Sequence, residues 1–305
     1  MRRLLFRRLL AAPLVLLAVS TLTFFLMRAV PGGPFDVEKP LPPAIKANIE
    51  AKYRLNDPFW LQYASYIGGV LRGDLGPSYK YVNRSVTDIV RATLPVSAAL
   101  GALALVVSLI MGLIFGTLAG AFSGTWVDRT SLFLATLGIA LPGFLLGAVV
   151  ILVFAHNLRI FPPALWEGAR HMILPAVTLG IGPAAYLARL IRSGILETMH
   201  QDFIRTAKAK GLHPAKVMLF HVLGNALTPV ISVLGPLTAA FVTGSFVVEY
   251  LFSIPGMGKY FVDSVANRDY PLIMGVTLVY GVILYAANIV VDILYAWADP
   301  RVGRE

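Results

Sequence analysis

The sequence predicts an all-α integral membrane protein with six transmembrane helices. Of its 305 residues, 57% are hydrophobic and only 14% are charged. The mean hydropathy is +0.73, which is typical of multi-span membrane proteins rather than soluble ones. The apolar residues form runs of about 20 residues, the length that a helix needs to cross a bilayer. The basic residues lie between those runs, as the positive-inside rule requires of membrane proteins.

The first apolar run, Leu9 to Val30, follows a basic N-terminus that contains four arginines. A cleaved signal peptide also begins with positive charge. However, this run corresponds to about 33 Å of helix, enough to span a bilayer. It ends at a Pro/Gly-rich stretch, 31–35, rather than at a small-residue cleavage site. We therefore predict a retained first transmembrane helix within residues 1–30.

Residues 31–93 are predicted to form a periplasmic loop with a small helical cap. About sixty residues are too many for a bare loop in a compact domain. Two segments of this loop are predicted to be helices. Pro43–Tyr53 has a proline near its first turn, and Asp57–Leu71 is amphipathic and rich in aromatic residues. Aromatic side chains of this kind are typical of a membrane interface.

Residues 94–298 are predicted to form a five-helix core, and 299–305 a cytoplasmic tail. Gly112, Gly116 and Gly120 leave one stripe of the second span without side chains, so we expect a neighbouring helix to pack closely there. Prolines predict a kink or break in the third span and interruptions in the fourth. The predicted spans are 94–122, 131–155 with a break near Pro142, 172–190 with Pro175 and Pro183, 227–248 and 271–297.

The distribution of charge predicts that both termini are cytoplasmic. The formal net charge is +10, which in a soluble protein would suggest nucleic acid. Because these charges separate apolar runs, they indicate topology and contact with anionic lipid instead. The two short loops assigned to the outside hold only Arg159, Arg170, Lys259 and Arg268. The cytoplasmic side receives Arg2, Arg3, Arg7, Arg8, Arg129, Arg189, Arg192, Arg205, Lys208, Lys210, Lys216, Arg301 and Arg304.

No catalytic, metal or cofactor site is predicted. The chain has no cysteine, which excludes disulfides and thiolate chemistry, and it lacks H-E-x-x-H and G-x-S-x-G motifs. Gly258-Lys259 fails as a phosphate-binding loop, because Ser253 and Tyr260 occupy its required Gly and Ser/Thr positions. A polytopic enzyme is disfavoured by the missing nucleophile and acid–base pair. An ion-coupled carrier or channel is disfavoured because charges near mid-membrane are scarce.

The longest basic interruption of the C-terminal half runs from Glu197 to Lys216. Met199, Phe203 and Ala207 recur at helical spacing and predict an apolar side, opposite the cations Arg205, Lys208 and Lys210. Gly211 followed by Pro214 predicts that one helix stops and another begins. A basic helix lying on anionic lipid is the structural alternative to a helix that contacts a cytoplasmic protein.

This segment resembles the "EAA" loop of binding-protein-dependent ABC importer permeases. Aligned on Gly211, the triplet is Arg205-Thr206-Ala207, so Ala207, Gly211 and Leu223 match, while Arg205 replaces the acid and Gly224 the later proline. These departures are similar to the oligopeptide/dipeptide/nickel family, whose loops resemble Phe203–Leu212. Other matching strings extend the resemblance over the chain, and it is greatest to the B-type subunit of the oligopeptide branch: 7–8, 30–35, 48–58, 73–79, 248–258, 267–271 and 299–301.

The resemblance implies the type I ABC importer permease fold and a membrane subunit of an ATP-driven oligopeptide importer in the bacterial inner membrane. The implied partners are a second permease, two cytoplasmic ATPase subunits that bind ATP and Mg²⁺, and an external peptide-binding protein. The chain itself would have no ATPase site. Residues 201–212 would form the coupling helix, with Phe203 and Ala207 buried against an ATPase. The implied coupling residues are Asp202, Phe203, Arg205, Thr206, Ala207, Lys208, Ala209, Lys210 and Gly211.

Within this family, a dipeptide, nickel or murein-peptide permease remains the alternative. The sequence identifies no substrate-contacting residue. Most polar side chains within spans are expected to bond their own helix backbone. Those polar residues are Ser108, Thr136, Thr178, Ser232, Thr238, Thr243 and Asn288.

Overall fold

The computed structural model describes residues 2–35, 53–242 and 245–298, and over these the secondary structure is helical apart from one isolated bridge between Pro77 and Ser85. We number the described helices in chain order. They are α1 Arg2–Ala29, α2 Phe59–Val70, α3 Val86–Ala121, α4 Trp126–Ala140, α5 Gly143–Asn157, α6 Ala169–Met199, α7 Asp202–Ala209, α8 Pro214–Ala226, α9 Thr228–Val242, α10 Phe246–Leu251, α11 Met257–Ala266 and α12 Tyr270–Ala298. The predicted helix at Pro43–Tyr53, Thr243 and the tail 299–305 lie wholly or largely outside the described residues.

Four described helices are long and apolar enough to cross a membrane, and six spans result if each of two bent helix pairs counts as one. The single helices are α1, α3, α6 and α12. The first bent pair, α4 with α5, turns by 113°. The predicted break near Pro142 is therefore confirmed, and it is sharper than a kink. The second pair, α8 with α9, turns by 51°.

The predicted spans are wrong at one boundary and at one predicted interruption. Helix α3 begins at Val86, upstream of the predicted start, and continues through Pro95. Helix α6 runs unbroken from Ala169 to Met199 although Pro175 and Pro183 lie inside it. A membrane helix tolerates proline where its neighbours satisfy the freed backbone groups. Near Pro183, the Ser108 hydroxyl of α3 donates to the carbonyl of Gly180 at 2.9 Å.

The chain divides into two compact units, and the first comprises Met1–Ser97 and Pro255–Ala286. Its core contains Ile89 of α3, Met257 of α11 and Leu272 of α12, each fully buried. The buried carboxylate of Asp269 accepts hydrogen bonds from the Ser78 hydroxyl at 2.5 Å and from backbone N–H groups of residues 79, 80 and 272. Asp269 thus anchors the segment before α3 to the start of α12.

The second unit comprises Ala98–Ile254 and Ala287–Glu305. In this unit α3 packs closely against α6, and the glycine stripe makes that contact possible. A Cβ atom added at Gly112, Gly116 or Gly120 would lie 2.7–2.9 Å from its nearest atom on α6. Real Cβ atoms essentially never approach other atoms that closely. The predicted close packing along this stripe is confirmed.

Candidate functional site

Helix α7 is a short basic helix that is seated on the chain's own core. It lies between the end of α6 at Met199 and the start of α8 at Pro214. Ile204 is fully buried, and Ala207 is 5% exposed. Both belong to one apolar cluster with Ile195 of α6 and Val217 and Val222 of α8. Because this cluster joins α7 to both flanking helices, α7 is held as part of a packed unit.

The predicted apolar side of α7 is wrong at Phe203, whereas Ala207 and Met199 pack on the apolar cluster. Ala207 and Ile204 face the chain's own core, whereas Phe203 is 45% exposed. The buried side is centred on Ile204 and Ala207, which lie three residues apart on one helix face, and Phe203 lies at its edge. Phe203 is therefore the apolar side chain that α7 presents outward, and Ala207 contacts its own subunit. A role of these residues in coupling stays a prediction.

The remaining predicted coupling residues form an exposed surface. Arg205 approaches Asp202 at 3.6 Å, but their side chains are 75% and 96% exposed. An ion pair between such exposed groups contributes only about 0–1 kcal/mol, so it leaves the cation available to a partner. The Thr206 hydroxyl donates to the Asp202 carbonyl at 3.1 Å. The exposed set is Asp202, Phe203, Arg205, Thr206, Lys208, Ala209, Lys210 and Gly211.

Gly211 ends α7 in a Schellman motif. Its φ is +77°, in the left-handed region that favours glycine. The Gly211 N–H donates to the Lys208 carbonyl at 3.0 Å, and the Leu212 N–H donates to the Ala207 carbonyl at 3.3 Å. The next helix starts at Pro214, where the His213 ring accepts a hydrogen bond from the Ala215 N–H at 3.3 Å. The predicted helix stop and restart are confirmed.

An ion pair that the sequence analysis missed lies in the same unit. The Arg192 guanidinium of α6 donates two hydrogen bonds to the Asp128 carboxylate of α4, at 2.7 and 2.8 Å. Asp128 is 4% exposed and also accepts from the Gly124 N–H at 2.9 Å. Its one sequence signal is an acid within an otherwise basic turn. This pair connects α6, the helix that leads into α7, to the first turn of α4.

The polar residues within spans behave largely as predicted. Ser108, Thr136, Thr178 and Thr238 each donate to the backbone carbonyl four residues earlier, at 2.7–2.8 Å. The part of the chain that the structure describes holds no group of three or more His, Cys, Asp or Glu that could bind a metal.

Glu249 is fully buried in α10, so its side chain does not lie on the surface of the chain.

Comparison with known proteins shows what this arrangement is similar to. Residues 112–304 match the family "Binding-protein-dependent transport system inner membrane component", and residues 1–101 match its N-terminal family. The dipeptide transport system permease protein DppB of Bacillus subtilis is 46% identical over 99% of this chain and 98% of its own. The oligopeptide transport system permease protein OppB of Haemophilus influenzae is 42% identical over 99% of both chains.

Two solved structures share the fold at low identity. One is an amino acid ABC transporter, with a TM-score of 0.53 and 16% identity, covering 68% of this chain and 92% of that one. The other is the inward-facing MetNI methionine ABC transporter, with a TM-score of 0.51 and 15% identity, covering 68% and 96%. The helical architecture and the full-length sequence matches agree, and the chain belongs to the binding-protein-dependent ABC transporter inner membrane component family.

Proposed function

We propose that this chain is the membrane-spanning permease subunit of an ATP-driven, binding-protein-dependent peptide importer, and that α7 is its coupling helix. The observation that supports this proposal is the construction of α7. One side is locked into the core by Ile204 and Ala207, and the other exposes Phe203 among cations. An exposed aromatic residue within a polar rim is typical of a protein interface.

The proposed mechanism is mechanical. ATP closes a dimer of ATPase subunits, and a helix seated on that dimer moves with it. Because α7 shares one apolar cluster with α6 and α8, a displacement of α7 is passed to both helices. The two helices then shift between outward-open and inward-open arrangements of the transporter. In this mechanism the chain transmits the movement of α7 and forms part of the path through the membrane. The partner subunits hydrolyse ATP.

The proposed assembly has four further components: a second permease, two ATPase subunits and an external peptide-binding protein. In this proposal residues 31–93 are periplasmic, both termini are cytoplasmic, and ATP with Mg²⁺ is bound by the ATPases alone. The transported peptide is an oligopeptide or a dipeptide. Relatives named for each are similarly close, at 42% and 46% identity.

Reconstitution into proteoliposomes tests this proposal. The complete set of subunits should accumulate labelled dipeptides or tetrapeptides only when ATP and the binding protein are present. Comparing the two peptide lengths decides between the dipeptide and oligopeptide functions. Uptake driven by an ion gradient without the ATPases would establish a carrier instead. A solved assembly in which α7 contacts only lipid would contradict the coupling role.

A further inference from the structure

The first unit contains a cavity of about 300 Å³ beside the end of α1. This volume is at the lower limit of known ligand cavities, so the cavity could enclose one end of a peptide but not a long peptide. Charged and aromatic side chains line it together. They include Arg28, Asp57, Tyr66, Asp74 and Tyr79.

Arg28, in the last turn of α1, brings positive charge to this cavity. Its guanidinium lies 3.5 Å from the centroid of the Phe24 ring and donates to Gln62 Oε1 at 2.5 Å. A third contact, with the Phe24 carbonyl, is long at 3.4 Å. No carboxylate among the described residues lies within ion-pair distance of Arg28. A guanidinium has five N–H donors, and the described residues leave most of those of Arg28 for a ligand.

The Tyr66 hydroxyl provides a second, independent observation. It is buried, and within the described ranges it has no hydrogen-bond partner. Leaving a buried hydroxyl unpaired lowers stability, which gives such a group a reason to bind a ligand. Burial raises the pKa of Tyr66, and it raises the pKa of Tyr79 to about 12. Both hydroxyls are therefore protonated at neutral pH and can donate a hydrogen bond.

We propose that this cavity binds the terminal carboxylate of a short peptide, with Arg28 as its charge partner and Tyr66 as a second donor. Charge-assisted hydrogen bonds from a guanidinium to a carboxylate are among the strongest in proteins. Asp57 and Asp74 line the same cavity, and Asp74 accepts a hydrogen bond from the Gly76 N–H at 2.9 Å. These acids suit the N–H groups of a peptide better than the phosphate of a lipid. The identification of the ligand as a peptide rests on the proposed function. The inference that the cavity binds a carboxylate does not.

The test measures peptide binding to the assembled permease and ATPase subunits, without the binding protein, in nanodiscs of zwitterionic lipid. The probes are trialanine and trialanine amide, titrated by calorimetry. Amidation should raise Kd by about tenfold or more, because it removes the charge that Arg28 binds. Arg28→Gln should raise Kd for trialanine similarly. In Arg28→Gln the two peptides should bind alike, since both changes remove the same interaction.

Tyr66→Phe separates a ligand role from a structural role. Because no described residue hydrogen-bonds to this hydroxyl, its removal should leave the thermal midpoint unchanged or raise it. It should nevertheless raise Kd for trialanine by about three- to tenfold. Tyr63→Phe is the matched control on the same helix. The Tyr63 hydroxyl bonds to Thr21 Oγ1 at 2.6 Å, so this variant should lose stability and keep the wild-type Kd.

Equal affinities for the free and amidated peptides would overturn the proposal, as would undetectable binding. Competition by phosphatidylglycerol with no effect of amidation would assign the cavity to a lipid headgroup. If Arg28→Gln fails to assemble, Tyr66→Phe decides, and a wild-type Kd in that variant counts against the site. If the wild-type assembly showed no ATP-driven uptake, the proposed function would be contradicted. The peptide-binding result would still test the cavity by itself.

Discussion

Replacing Gly211 with alanine tests whether the end of α7 positions a coupling helix. The φ of Gly211 is +77°, and no described atom lies within 4 Å of the place where a Cβ would stand. The cost is therefore backbone strain alone, about 1–2 kcal/mol for a non-glycine residue in the left-handed region. Domains are typically stable by about 5–15 kcal/mol, so Gly211→Ala should still fold and insert.

Gly73→Ala is the matched control, because Gly73 has a φ of +79° and equally open surroundings among the described atoms. Both variants should lose similar thermal stability in detergent. Only Gly211→Ala should weaken co-purification of the ATPases and peptide-stimulated ATP hydrolysis, by about 5- to 30-fold if the strain is relieved by reorienting α7. Gly211→Asp should also weaken docking without preventing insertion.

The reasoning is refuted if Gly73→Ala impairs ATPase docking as strongly as Gly211→Ala does. It is also refuted if Gly211→Ala lowers the thermal midpoint while docking and uptake stay at wild-type values. In the first case strain acts through global stability, and in the second the end of α7 has no part in the interface. An intermediate response of Gly211→Asn is expected, since asparagine tolerates the left-handed region better than alanine.

Three further predictions concern the second unit. Ile204→Ala should lower the free energy of unfolding by about 2–5 kcal/mol, whereas Phe203→Ala should leave it within about 0.5 kcal/mol and weaken ATPase docking instead. Asp128→Asn should lower stability by about 1–3 kcal/mol, because it weakens two charge-assisted hydrogen bonds from the partly exposed Arg192. Gly116→Leu should abolish assembly, since even a Cβ there meets a backbone oxygen of α6 at 2.7 Å.

Each of these predictions has a control. A double variant, Asp128→Asn with Arg192→Gln, should lose less stability than the sum of the two single changes, and additive losses would contradict a direct pair. Gly224→Leu changes a glycine with no described atom within 4 Å of its Cβ position, so it should assemble normally. Thermal unfolding in detergent measures the stability of the double variant and of Gly224→Leu. A docking defect in Ile204→Ala without lost stability would place Ile204 at the interface.

The periodic and conformational features of this protein were predictable because each depends on a short stretch of chain. An apolar run as long as the bilayer is thick predicts a span, and glycines four residues apart predict a helix face without side chains. The left-handed turn at Gly211 follows from backbone sterics, and Pro142 followed by Gly143 favours a break. A helix continuing through Pro175 and Pro183 was not predictable, because its cost depends on groups supplied by neighbouring helices.

The amino-acid sequence alone determined the helical class, the glycine contact and the position of the basic helix. Only the tertiary structure decided which side of α7 is buried, that Asp128 meets Arg192, and that Arg28 and Tyr66 line one cavity. The physical reason is range. Hydropathy and backbone conformation act over a few residues, whereas side chains from distant positions become neighbours only when helices pack, and packing is a property of the whole fold.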